Sequence, residues 1–192
     1  MTKYILHGGE TGIPNKHNEA FYQEWVKDFE SNFIPTILLV YFSRDKQEWN
    51  KLEQQDKERF VKYTNNRLVN FLVASDNIEI FEEQIKKSNT IYFRGGFPEL
   101  AMKVLLPIKD KLLNMMDDKI YAGSSAGVMI LSHSTRSNTT DWQEGLGLLP
   151  INSFVHWSGE FQENLNSFKE KNHDNKFDYL LIPETEFMIK NY

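Results

Sequence analysis

Five apolar runs of strand length recur along the chain: Tyr4–His7, Thr36–Phe42, Val69–Ala74, Thr90–Phe93 and Lys119–Ala122. The stretches between them carry apolar residues at helical spacing. His17–Asn32, with Phe33 just beyond, sets Phe21, Trp25, Phe29 and Phe33 four residues apart on one face. Lys46–Asn65 is strongly charged but carries Trp49, Leu52, Phe60 and Tyr63. Asn77–Lys87 and Pro98–Leu113 complete the set, with Pro107 expected to break or bend the last. Strands that are apolar almost throughout must be covered on both faces. The alternation therefore predicts an α/β chain: a three-layer α/β/α sandwich around a mostly parallel sheet. Further on, a strand is expected at Phe154–Trp157, a helix at Glu160–Asn172 and a strand at Tyr179–Ile182, while Ser132–Asp141 reads as loop. No repeat, low-complexity segment or linker interrupts the 192 residues, which suit one domain over 1–192.

Composition narrows the function. Net charge is −5 with no basic block, which argues against nucleic acid. No run of eighteen apolar residues is present, so no membrane span is expected. The opening Met1–Leu6 lacks a signal-peptide core because Gly8-Gly9-Glu10 interrupts it, and a cytoplasmic location is the default. Cysteine is absent, which removes disulfides, a thiol nucleophile and the sulfur ligands of structural zinc.

Sheets of this kind carry their sites at the carboxyl ends of the strands. Three small-residue turns fall there: Gly8-Gly9, Gly95-Gly96 and Gly123-Ser124-Ser125-Ala126-Gly127. The last, directly behind an apolar run, has the pattern of a nucleophile elbow, in which a sharp strand-to-helix turn exposes a serine hydroxyl. Ser125 is then a nucleophile, and the Ala126 N–H and that of Gly95 or Gly96 can receive a developing oxyanion. A serine hydroxyl needs a base. His17 and His173 lie in polar segments, His133 closely follows the elbow helix, and His7 ends the first strand. His156 is favoured because it closes a short apolar run downstream of the serine. A carboxylate must orient it, and Glu184, behind Leu180-Leu181-Ile182-Pro183, competes with Asp141 for that place. Gly8-Gly9-Glu10-Thr11-Gly12 does not have the glycine spacing of a dinucleotide site.

The order of these features is informative. Ile120-Tyr121-Ala122-Gly123-Ser124-Ser125-Ala126-Gly127, a Gly-Gly turn upstream, Gly145-Leu146-Gly147-Leu148-Leu149-Pro150, then a histidine and Ile182-Pro183-Glu184 resemble the aspartyl dipeptidase (peptidase E) and cyanophycinase family of serine peptidases. The resemblance runs over nearly the whole chain. It implies a flavodoxin-like fold akin to class I glutamine amidotransferases. It also implies a Ser-His-acid triad with Ser125 as nucleophile and His156 as base, Gly96 and Ala126 as oxyanion donors, and Glu184 or Asp141 as third member. Two positions depart from the family pattern. Its glycine turn usually reads Gly-Gly-Gly-Asn-Thr, where this chain has Arg94-Gly95-Gly96-Phe97-Pro98. The resemblance also implies an arginine after the histidine to hold an acidic substrate side chain. No arginine follows Arg136 here, which leaves Arg94, Lys169 and Lys171 as replacements.

The expectation is a serine peptidase or small-peptide amidohydrolase working through an acyl-enzyme, without metal or cofactor, as a monomer or homodimer. One rival is a non-catalytic member of the same fold that holds a small carboxylate or phosphate at its glycine turns. Another is an esterase of the α/β-hydrolase type, whose acid precedes its histidine, an order that Asp141 fits and Glu184 does not.

Overall fold

A computed structural model describes residues 1–171 and 176–192. The chain opens with strand β1 (Lys3–His7) and helix α1 (Lys16–Glu24), then β2 (Thr36–Val40), α2 (Trp49–Tyr63), β3 (Asn70–Val73), α3 (Ile78–Lys87) and β4 (Thr90–Phe93). It continues through α4 (Pro98–Leu105), α5 (Lys109–Met115), β5 (Ile120–Ser124) and the four-residue α6 (Ala126–Met129). Strands β6 (Ser134–Arg136), β7 (Gln143–Glu144) and β8 (Ile151–Val155) follow, then α7 (Gln162–Lys171), β9 (Asp178–Ile182) and β10 (Phe187–Asn191).

Six strands form the central sheet in the order β10-β1-β5-β4-β2-β3, parallel except for β10. Alternate residues of each strand face opposite sides, and the core divides accordingly. Ile5, Ile37, Leu39, Tyr92 and Ala122 pack with Phe21 of α1, Trp25 just after it and Phe60 of α2. Tyr4, Leu6, Leu38, Val40, Ile91, Phe93 and Tyr121 pack with Phe81 and Ile85 of α3, Leu105 of α4, Leu112 of α5 and Val128 of α6. The result is a three-layer α/β/α sandwich of flavodoxin-like type. Among the described residues, no helix is long and apolar enough to cross a membrane.

Several local expectations change. Helix α1 stops at Glu24, and the chain goes on in turns whose N–H groups bond three residues back, from Val26 to Gln23, Phe29 to Val26 and Phe33 to Glu30. Phe21 within the helix and Trp25 at the start of this route are fully buried, while Phe33 at its end is 45% exposed. Pro107 breaks its helix as expected, and a 3-10 turn at Leu106–Ile108 separates α4 from α5. Strands β6 to β9 do not extend the central sheet. They form a second, four-stranded sheet in the order β7-β6-β8-β9, in which only β7 is antiparallel, and part of the expected loop at 132–141 is strand β6. Ile151 and Val155 of β8 and Leu180 and Ile182 of β9 join the same core as α3–α6, so the second sheet packs over that face. Asn172, the expected last residue of the Glu160 helix, and His173 lie outside the described residues.

Candidate active site

The site lies where β1, β4 and β5 end. β5 closes at Ser124 and α6 opens at Ala126, which leaves Ser125 alone to turn the chain. It does so at φ +47° and ψ −105°, a conformation that costs a residue with a Cβ about 1–3 kcal/mol. Its neighbours hold it there. The Ser125 N–H donates to the His7 carbonyl at 2.9 Å, and its carbonyl accepts from Val128 and Met129 at 2.8 and 3.0 Å. The crowding explains the flanking glycines: a Cβ on Gly123 would stand 2.7 Å from the Tyr121 ring, and one on Gly127 would stand 2.6 Å from the Phe93 carbonyl oxygen. The Tyr121 hydroxyl donates to the Gly127 carbonyl at 2.7 Å and braces the turn from beneath.

His156 follows β8, also at positive φ, and its N–H donates to the Gly8 carbonyl at 3.1 Å. The ring bridges two side chains. Nε2 lies 3.0 Å from Ser125 Oγ, and Nδ1 lies 3.1 Å from Glu184 Oε1. Glu184 sits in the link from β9 to β10, so the second sheet delivers the histidine and the crossing back to the first delivers the acid. Asp141 is placed elsewhere: its carboxylate, 97% exposed, pairs with Arg136 Nη1 at 3.0 Å. Of the two acids left open by the sequence, the structure brings Glu184 to His156. His17 is exposed, and His133 packs its ring against Phe177.

The Gly95-Gly96 turn lies against the serine, since a Cβ on Gly95 would stand 3.1 Å from Ser125 Cβ. Ser43 Oγ donates to the Arg94 carbonyl and Arg44 Nε to the Gly95 carbonyl, each at 2.6 Å. Neither the Gly96 nor the Ala126 N–H has an acceptor among the described residues. Ala126 is fully buried and can act only through that amide. Because α6 is so short, individual N–H groups rather than a helix macrodipole supply the positive field here.

Two hollows flank Ser125, Gly96 and His156. One, of about 300 Å³, is lined by Thr11, Arg44, Arg59 and Arg94. The other, of about 770 Å³, is lined by Phe97, Met129, the hydroxyl- and amide-bearing 137–140 segment and Glu184. Glu10 borders both. Arg94 pairs with the fully buried Asp56 at 2.8 Å and bonds to Gln55 of α2, while Arg59 reaches Asp56 only at 3.5 Å. Burial pushes the Asp56 carboxyl up, against the pull of Arg94. Lys169 and Lys171 line neither hollow, and Lys169 lies over the Tyr179 ring. Arg59 was missed in the sequence because the charged Lys46–Asn65 stretch reads as a solvated helix face, and Arg44 because it stands just before that stretch with no motif around it. The signal that could have found them is that the segment before α2 leaves β2 at its carboxyl end, where sites collect.

A hydroxyl, an imidazole with a carboxylate on its far nitrogen, and unclaimed amides at one hollow can together deprotonate an alcohol and hold an oxyanion. The architecture around them is peptidase E-like. Two solved structures carry that comparison. A peptidase from an acI-B1 Actinobacterium superposes with a TM-score of 0.70 at 19% identity, over 99% of this chain and 83% of that one. A candidate Peptidase E protein from Listeria monocytogenes EGD-e superposes with a TM-score of 0.60 at 16% identity, over 100% of this chain and 99% of its own. No protein-family model and no curated protein matches the sequence.

Proposed function

We propose that this protein is a serine-type peptidase that cleaves short peptides through an acyl-enzyme. The observation that carries the proposal is the His156 ring, set 3.0 Å from Ser125 Oγ on one side and 3.1 Å from Glu184 on the other. Glu184 accepts a hydrogen bond from Nδ1–H, which fixes the proton there and leaves the Nε2 lone pair facing the serine. His156 takes the hydroxyl proton as Oγ attacks the substrate carbonyl carbon. The Gly96 and Ala126 N–H groups hold the oxyanion. The C–N bond then breaks, and His156 passes its proton to the leaving amine. Water, deprotonated by the same ring, releases the acyl group. The peptidase names of both structural neighbours agree with this reading. An acid that follows its histidine in the chain argues against the α/β-hydrolase type of esterase.

The smaller hollow supports a substrate class. Arg94 is taken up by Asp56 and Glu10 borders the hollow, so Arg44 and the more loosely paired Arg59 are the cations that would meet a peptide's acidic side chain beside the scissile bond. The test is labelling by a fluorophosphonate, with a panel of dipeptides alongside. Wild type is expected to be modified at one residue and Ser125→Ala at none, and acidic dipeptides are expected to show lower KM than their amide counterparts. Equal modification of the two proteins overturns the assignment.

A further inference from the structure

His7 closes β1, and Gly8 and Gly9 carry the chain on against the site. Their three consecutive carbonyls each hold a different piece of it. His7 accepts from the Ser125 N–H at 2.9 Å, Gly8 from the His156 N–H at 3.1 Å, and Gly9 from the N–H of Thr185, next to Glu184, at 3.0 Å. One tripeptide therefore sets the spacing of three side chains delivered by the β5–α6 turn, the end of β8 and the β9–β10 link. Two of its members are glycines, which restrain a backbone poorly.

The His7 ring supplies the missing restraint. It is fully buried and packs on Phe21 at 4.6 Å between ring centres. Its Nδ1 accepts the Gly9 N–H at 3.0 Å, and its Nε2 lies 2.7 Å from Asn18 Oδ1. Asn18 is itself oriented, because its Nδ2 donates to the carbonyls of Glu10 and Ile13 at 2.9 and 2.6 Å. Oδ1 can then only accept, so the proton of His7 sits on Nε2 and Nδ1 is left as the acceptor. Burial lowers the ring's pKa to about 4, which keeps that acceptor in place at neutral pH. Gly9 in turn touches the base: a Cβ built on it would stand 2.1 Å from His156 Cε1. A shift of Gly9 therefore reaches His156 directly.

We propose that His7 is a positioning residue: its ring, held by Asn18 in the Nε2–H form, locks the Gly9 amide so that the carbonyls of residues 7–9 keep Ser125, His156 and Glu184 in register. The proposal rests on the serine-peptidase reading. His7 is fully buried and lines neither hollow, so its loss is expected in the chemical step rather than in binding.

The experiment measures the fluorophosphonate labelling rate, kcat and KM for wild type, His7→Phe and His7→Asn. Phenylalanine keeps the ring's bulk and loses both polar atoms. Asparagine packs less well but sets an oxygen where Nδ1 stood. With misplacement of a base costing on the order of 100-fold, His7→Phe is expected to acylate roughly 30- to 100-fold more slowly at near-unchanged KM. His7→Asn is expected to recover most of the rate despite a lower melting temperature. A residue that only fills space gives the opposite ranking, and His7→Phe at wild-type rate or above His7→Asn overturns the proposal. Should His7→Phe not fold, His7→Gln takes its place: glutamine reaches Asn18 but leaves Gly9 without an acceptor. It is expected to be slow, and labelling as fast as His7→Asn overturns the proposal. If wild type itself resists the phosphonate, the serine-peptidase reading fails first, and this one with it.

Discussion

Gly9 is constrained twice over, by its backbone angle and by the base beside it. It sits at φ +142°, and any side chain would occupy the space of the His156 ring. Gly159, in contrast, has nothing within 4 Å of a built Cβ. Gly9→Ala is expected to abolish labelling of Ser125 by forcing the imidazole off its hydrogen bonds, while Gly159→Ala stays within a few-fold of wild type. A Gly9→Ala protein that labels normally would show that the ring tolerates displacement. At this scale the sequence already singled out Ser125, His156, Glu184 and the Gly95-Gly96 turn, because each interrupts an apolar run with a chemically distinctive group. Glu184 could not be separated from Asp141, since only the fold reveals that Arg136 holds the latter. The part played by His7 was hidden for another reason: the carbonyls of residues 7–9 do their work through main-chain atoms, which look alike in every sequence.

Among the elements, α1 ties the aromatic core to the site. Asn15 caps it by accepting the Asn18 N–H at 2.8 Å, and Asn18 carries the contact to His7. Asn15→Ala is expected to lower stability by about 1 kcal/mol, the usual cost of losing such a cap, as read from urea denaturation. An unchanged midpoint would show that tertiary packing alone holds the helix start. The strand and helix order was legible from hydrophobic period. The end of α1 was not, because a turn that bonds three residues back keeps Trp25 as buried as a continued helix would. The split into two sheets was also hidden. Strand-length apolar runs are the same whether they extend one sheet or start another, and the pairing of β8 with β6 and β9 is a long-range choice.

At the scale of the whole molecule, His7 also links pH to stability. Its folded pKa is lowered to about 4 by burial, while the unfolded chain takes up the proton near 6.5. Between those values the unfolded state binds more protons, so stability falls as pH drops from about 6.5 toward 4, and this group contributes about 3 kcal/mol of the loss. Urea denaturation at pH 7 and pH 4.5 checks this, and His7→Asn is expected to show a correspondingly smaller decline. An identical decline in both proteins would place the acid sensitivity in other groups.

The crossing from β9 to β10 has one further consequence. Glu184 reaches His156 only once that crossing has settled beside β1, and the segments that meet at the serine run from residue 7 to residue 185. A nascent chain carries Ser125 well before Glu184 has been synthesised. On the proposed reading, His156 has no carboxylate to orient it until residue 184 has been added.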